Sequence, residues 1–220
     1  MPPYFDMTLL FEHERVQPNF VRDLYGRIIE LGFPFERGCD RTQTTDMEEI
    51  ASLSQELLDQ GVHRDLRLVQ VRFRSRCYSE LRGMWMCLEP QVSFSLVIPE
   101  DDVLYYDDDV RFLPDRIEPM RRLAVELWES QCVDVIETTI EFDHGFHQLP
   151  SVVGGDGLSV RPFAIVPERI IGNFPSGFFV SYQTLGIGNG GVLVEIPGRM
   201  GQCSNGSGTN RVEVYDAGCR

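Results

Sequence analysis

The segment that ends at His147 brings together residue types that bind metal ions and transfer protons. Glu141 is followed there by Asp143, His144 and His147, so two imidazoles and two carboxylates lie close together in the chain. Zinc needs three or four convergent ligands, and histidine titrates near neutral pH. The segment therefore predicts one candidate site, the centre of a metal-assisted hydrolase at Asp143, His144 and His147. The alternative is a pair of exposed loop histidines that bind no metal.

A second candidate site is the acidic segment at residues 100–109. Carboxylate oxygens suit Ca²⁺ or Mg²⁺, but the alternation and mid-loop glycine of an EF-hand are missing. Because tyrosine is enriched in interface cores, we interpret the segment as an acidic docking surface. The alternative is a solvated loop whose charges favour the N-terminus of the next helix. The predicted partner-binding residues are Glu100, Asp101, Asp102, Tyr105, Tyr106, Asp107, Asp108 and Asp109.

A basic island lies between Arg64 and Arg82. Arg72, Arg74 and Arg76 alternate there, which predicts that they share one face of a strand. With nearby aromatic residues, such an island can bind RNA or single-stranded DNA. The favoured interpretation is instead that the arginines neutralise the acidic segment elsewhere in the fold. The nucleic-acid hypothesis would use Arg67, Arg72, Arg74 and Arg76.

The glycines from Gly186 to Gly191 resemble a dinucleotide-binding loop only superficially. That loop must open a helix, so that the helix N-terminus holds the pyrophosphate. Here a strand-like run follows, and Asn189-Gly190 is a hairpin-turn signal. We therefore predict a turn between two strands at this position, and no cofactor.

The charge of the chain excludes several classes of function. It has 34 acidic and 20 basic side chains, a net charge of −14, and all of the basic residues are arginine. Mechanisms that need a lysine are therefore excluded. A surplus of negative charge opposes nucleic acids and anionic membranes and favours a basic protein partner. No secretion signal or membrane span is recognisable, so we expect a cytoplasmic protein with reduced thiols.

Hydrophobic periodicity predicts three helices and at least four strands. One helix covers residues 19–31, a second opens with a capping box at Thr45 and Glu48, and a third places Pro119 at its first position. The clearest strands are residues 4–11, 66–74, 92–98 and 133–142, and the alternation in 66–74 and 92–98 predicts that one face of each is exposed to water.

This order predicts an α+β fold with a mostly antiparallel sheet of the split β-α-β, ferredoxin-like type and helices on one face. Residues 1–142 would form the core domain, and residues 143–197 a β-rich extension packed on the same domain. Residues 198–220 are rich in Gly, Ser and Asn, which predicts a flexible segment and tail.

Two pairs of segments resemble bacterial immunity proteins of the polymorphic-toxin type and related uncharacterised families. They are residues 7–11 with 20–31, and residues 94–102 with 116–128. The resemblance implies a small, acidic, cytoplasmic protein that neutralises a basic toxin by occluding it, without catalysis. The leading hypothesis is therefore a binding protein. The alternatives are the metal-assisted hydrolase, the nucleic-acid-binding protein and a lysine-free ubiquitin-like modifier that ends near Gly218.

Overall fold

The computed structural model describes residues 3–39, 43–60, 70–88, 91–106, 110–141 and 147–197. Within these ranges, nine strands form one antiparallel sheet and two more form a separate hairpin. The strands are β1 (Tyr4–Glu12), β2 (Phe35–Gly38), β3 (Gln70–Phe73), β4 (Leu81–Leu88), β5 (Gln91–Pro99), β6 (Leu104–Tyr106), β7 (Val110–Phe112), β8 (Val135–Ile140), β9 (Phe163–Pro167), β10 (Gln183–Ile187) and β11 (Gly191–Glu195). The helices are α1 (Phe20–Glu30), α2 (Met47–Asp59), α3 (Pro114–Glu129) and α4 (Leu149–Gly154). The predicted α+β class with a large antiparallel sheet is confirmed.

The strand order of the main sheet is β10-β11-β9-β8-β1-β5-β4-β3-β2. The first strand, β1, lies near the centre and pairs antiparallel with both β5 and β8. Strands β9, β11 and β10 extend the same sheet beyond β8. Asn189 and Gly190 have φ values of 56° and 65°, the left-handed conformation of a tight hairpin turn, and they join β10 to β11.

One face of the main sheet packs against α1, α2 and α3. Alternate residues of β1, from Phe5 to Phe11, contribute to this core together with the apolar stripe of each helix. At its centre, the ring of Trp85 lies 4.6 Å from that of Phe94, and Trp85 Nε1 donates a 2.7 Å hydrogen bond to Tyr25 Oη. The polar tips of these aromatic residues are therefore paired inside the core, as burial requires.

The opposite face of the sheet carries a second apolar core, and this corrects the prediction that the helices lie on one face only. Leu10 and Val135 pack there against Leu149 and Val152 of α4. The helix is only 6 residues long, so it spans too few turns to show a helical period in the sequence. The sequence therefore predicted only β structure in this region.

Two predicted helix starts are wrong. Helix α2 has Asp46 as its N-cap, whose side chain accepts a hydrogen bond from the backbone N–H of Glu48 at 2.9 Å, so the predicted box at Thr45 does not form. Helix α3 begins at Pro114, and Pro119 lies inside it. Proline is favoured at the first helical position, and in this fold Pro114 occupies it.

The strand β5 was predicted to have one face exposed to water, and this is wrong. Ser93 and Ser95 are both buried, and the hydroxyl of Ser95 shares a 2.9 Å hydrogen bond with that of Thr8 on β1. A short strand, β2, which was not predicted from the sequence, forms one edge of the main sheet. Residues 66–69 of the strand predicted at 66–74 lie outside the described residues.

None of the helices in the described ranges is both long enough and apolar enough to cross a membrane. The Gly-, Ser- and Asn-rich segment at residues 198–220, including the chain end considered for a modifier, lies outside the described residues.

Candidate functional site

The acidic segment leaves the main sheet directly after β5 and begins with a single 3₁₀ turn, Glu100–Asp102. The first of these residues was predicted to contact a partner, and this is wrong because Glu100 is completely buried. Its carboxylate accepts a 3.0 Å hydrogen bond from the backbone N–H of Glu141, at the end of β8. Glu100 therefore ties the turn to the sheet. Sequence position alone gave no sign that one of six neighbouring carboxylates points inward.

The other two carboxylates of this turn have different environments. Asp102 Oδ2 accepts hydrogen bonds of 2.7 Å from both the backbone N–H and the hydroxyl of Ser79, in the loop between β3 and β4. Asp101 is exposed and makes no hydrogen bond to any residue in the described ranges. Asp101 is consequently available to a partner, whereas Asp102 mainly fixes the turn against the neighbouring loop.

Beyond the turn, β6 and β7 form a small hairpin that presents Tyr105 to solvent. The base of the hairpin is buried through Leu104 and Phe112, and the ring of Phe112 contacts that of Phe5 edge-on, with centroids 6.4 Å apart. Tyr105 is 56% exposed and lies opposite the exposed Arg111 across the two strands. We call this element the Tyr105 hairpin. Asp107, Asp108, Asp109 and the side chain of Tyr106 lie outside the described residues.

The basic island divides into two groups. Arg72 lies 2.8 Å from Glu80 and 3.7 Å from Glu36, and Arg82 lies 3.5 Å from Glu80 with its guanidinium 4.7 Å from the ring centre of Tyr4. These two arginines pair with carboxylates of neighbouring segments, and no ion pair joins them to the part of the acidic segment that the structure describes. Arg64 and Arg67 lie outside the described residues.

The other group, Arg74 and Arg76, follows the end of β3 and borders a cleft. Its opposite wall is the first half of α3, which contributes Arg116 and Arg122. All four side chains are exposed, and none forms an ion pair with a residue in the described part of the chain. We call this feature the arginine cleft. Sequence reasoning missed it because its two pairs of arginines are about forty residues apart and meet only when α3 packs beside the loop.

Of the predicted metal site, only His147 lies within the described residues, since Asp143 and His144 are outside them. His147 Nδ1 is 2.9 Å from a carboxylate oxygen of Glu137, a completely buried residue of β8. Glu137 also accepts 2.7 Å hydrogen bonds from the backbone N–H groups of His147 and Ser159. The hydrogen bond to Glu137 raises the pKa of His147, against the opposing effect of burial.

A further titratable group, Asp6, was not predicted from the sequence. It lies on β1 between the core residues Phe5 and Met7 and faces the other side of the sheet. Burial, followed by the nearby charges of Glu141 and Glu100, raises the pKa of Asp6 to about 7. The sequence signal for such a group is an acidic residue at an alternate position of an apolar strand, because a charge there needs either water or a partner.

Comparison with protein-family models, curated proteins and solved structures finds no match for this chain. The site must therefore be interpreted from its own geometry. Within the described ranges, no group of three or more His, Cys, Asp or Glu side chains is arranged to hold a metal ion.

Proposed function

We propose that the protein is a binding protein whose contact surface is the Tyr105 hairpin with the adjacent exposed Asp101. The observation that carries this proposal is the 56% exposure of Tyr105 on a hairpin whose base is buried. A rigidly held tyrosine loses little conformational freedom when it enters a partner's pocket. Tyrosine is also one of the residue types enriched in interface hot spots.

The partner in this proposal is a basic protein. With a net charge of −14, the protein attracts positive surfaces over long range, which accelerates association and weakens as salt rises. The resemblance to immunity proteins supports the further proposal that the protein acts in the cytoplasm and neutralises a toxin by occlusion. This function needs a stable scaffold and an accessible surface, and it needs no catalytic group.

The architecture supports a finer proposal about the fold. The strands β8-β1-β5-β4 are consecutive in the sheet and antiparallel. The helices α1 and α2 precede β4, and α3 precedes β8. This arrangement matches a split β-α-β core in which β1 lies between strands from two later units. We propose that the remaining strands are additions to the two edges of that core.

The binding proposal is tested by co-expression with the proteins encoded beside its gene. We expect one of them to be basic, to inhibit growth when expressed alone, and to form a stoichiometric complex with this protein that restores growth. The Tyr105→Ala variant should restore growth less well at equal expression. If no neighbouring gene product binds, or if Tyr105→Ala binds as tightly as the wild type, the proposal is wrong.

One observation favours a second candidate, the metal-assisted hydrolase. Metal-ligating histidines typically hold their second ring nitrogen against a carboxylate, and Glu137 holds His147 Nδ1 in this way. The Nε2 atom remains as the ligating atom. Metal analysis of the purified protein tests this candidate. Stoichiometric zinc or manganese that disappears in His147→Ala but persists in the control His13→Ala would support it, and equal metal content in the two variants would exclude it.

A further inference from the structure

We propose that the arginine cleft binds an extended acidic peptide segment of a partner protein. The cleft lies between the end of α1, the loop that follows β3 and the first half of α3, and its volume is about 1180 Å³. This proposal does not depend on the Tyr105 hairpin, because it rests on arginines, whereas the proposed contact with a basic partner rests on Tyr105 and Asp101.

The first argument is the charge of the cleft. Arg74 and Arg76 approach it from one wall, and Arg116 and Arg122 from the other. Several arginines elsewhere in the described chain pair with carboxylates, as the 2.6 Å contact between Arg121 and Glu195 illustrates. The four exposed guanidinium groups around the cleft form no ion pair with a described residue, so they repel one another until an anion arrives.

Two carboxylates, Asp115 and Glu118, also line the cleft. The nearest ion pair that Glu118 makes is with Arg121, at 3.6 Å, and Arg121 is not a lining residue. The two carboxylates therefore leave a positive balance in the cleft. They also limit how many anionic groups a ligand can place there, which favours spaced carboxylates over a continuous polyanion.

The second argument is that the walls are held in place before any ligand binds. Tyr78 Oη donates a 2.6 Å hydrogen bond to the backbone carbonyl of Arg116, and Arg116 Nη1 donates one of 2.5 Å to the carbonyl of Cys77. The backbone N–H of Arg74 donates a 2.7 Å hydrogen bond to the carbonyl of Pro34. The loop is thus fixed both to α3 and to the segment between α1 and β2, so that binding does not have to order it.

The third argument is the apolar floor, which decides between classes of ligand. Leu31, Phe33, Pro34 and Pro119 line the cleft together with the arginines. An extended peptide can place an apolar side chain on this floor while its carboxylates reach the guanidinium groups. A nucleic acid places a phosphate at every step, against the two carboxylates of the cleft, and offers no aliphatic side chain to the apolar floor. The volume also exceeds the range of about 300–1,000 Å³ that is common for small-molecule pockets.

The experiment uses fluorescence anisotropy at about 20 mM salt, where surface charges are weakly screened. Three labelled probes are titrated with the full chain. They are a hexapeptide of four glutamates with one leucine and one phenylalanine, the same peptide with glutamines for the glutamates, and a single-stranded RNA hexanucleotide. The cleft variant is Arg76→Gln/Arg122→Gln. The control is Arg37→Gln/Arg169→Gln, which removes the same charge from exposed arginines that do not line the cleft.

We expect the glutamate peptide to bind more tightly than either other probe, and the cleft variant to bind it roughly fivefold to tenfold more weakly. The control variant should stay within about twofold of the wild type. Equal binding of the glutamine peptide, equal loss in both variants, or no measurable binding of either peptide would overturn the proposal. Tighter binding of the RNA, lost in the cleft variant, would overturn it in favour of a nucleic-acid site.

Discussion

The two faces of the main sheet bury different kinds of side chain. The face beneath α1, α2 and α3 is filled by apolar and aromatic residues such as Phe94, whose neighbours include Trp85 and Tyr25. The opposite face combines the smaller apolar core at α4 with the polar residues Asp6 and Glu137. The comparison indicates that the first face provides most of the stability, whereas the second makes that stability depend on pH.

The largest expected effect belongs to the first face. Replacing Phe94 with Ala removes a ring that contacts both Trp85 and Tyr25, and it leaves a cavity that the rigid aromatic cluster cannot fill. We expect the free energy of unfolding to fall by about 3–5 kcal/mol, nearly equally at pH 5 and pH 8. Urea denaturation at both values measures this. A loss that changes strongly with pH would contradict the assignment of pH dependence to the other face.

The next largest expected effect on stability is that of Asp6. Its pKa is about 7 in the folded protein, against a reference value of 3.8. The folded state therefore retains a proton that the unfolded state has released, so stability declines as pH rises from about 4 to about 7. Asp6→Asn removes this penalty. We expect it to stabilise the protein at pH 8 by on the order of 3 kcal/mol and to have little effect at pH 4.

Denaturation of wild type and Asp6→Asn across this pH range measures the difference. The matched control is Asp101→Asn, which changes an exposed carboxylate of the same type. If Asp6→Asn and the control have the same pH profile, Asp6 is not the source of the dependence.

The pair of Glu137 and His147 also loses stability as pH rises, but in a higher pH window than Asp6. The pKa of His147 is raised in the folded state, so the pair's stabilisation is complete below the unfolded value of about 6.5. It is lost as pH rises through the folded pKa. We expect Glu137→Gln to cost about 2 kcal/mol at pH 5 and less at pH 9. The control is Glu168→Gln, at an exposed site. A cost that grows with pH would contradict the pairing.

The smallest expected effect is that of the buried hydroxyl pair. Ser95→Ala leaves the hydroxyl of Thr8 without its 2.9 Å partner, which should cost about 1 kcal/mol at every pH. The double variant Thr8→Val/Ser95→Ala removes both hydroxyls and should recover part of that loss. The denaturant midpoints of the two single variants and the double variant measure these costs. If the free energy lost by the double variant equals the sum of the two single losses, the hydroxyls do not interact.

The sequence predicted the elements that carry a clear period. Helix α1 was placed within about one residue of each end, because an apolar stripe defines its body and Gly32, with φ of 98°, ends it. Strand β1 was placed equally well. In both cases local sequence and tertiary packing favour the same structure, and this agreement is what makes a prediction from sequence reliable.

The predictions failed where the sequence shows that a residue is polar but does not show whether another element buries it. The serines of β5 alternate with apolar residues as on an exposed face, yet Ser93 and Ser95 are covered from that side. Glu100 is one of six carboxylates in its segment, and it is buried at the first position of the turn that follows β5. The arginine cleft joins residues about forty positions apart in the chain, and Glu137 lies ten residues before His147, on the other side of a strand end. No local spacing in the sequence therefore indicates either.

The central claim is that the Tyr105 hairpin is the surface that a basic partner contacts. The most direct test measures association and dissociation rates with the basic protein encoded beside the gene, over a series of salt concentrations. Wild type, Tyr105→Ala, Asp101→Asn and the control Tyr182→Ala are compared. We expect slower association as salt rises and for Asp101→Asn, and at least about tenfold faster dissociation for Tyr105→Ala alone. An association rate that does not change with salt, or a Tyr105→Ala variant that dissociates as slowly as the control, would contradict the assignment of the contact surface to the Tyr105 hairpin.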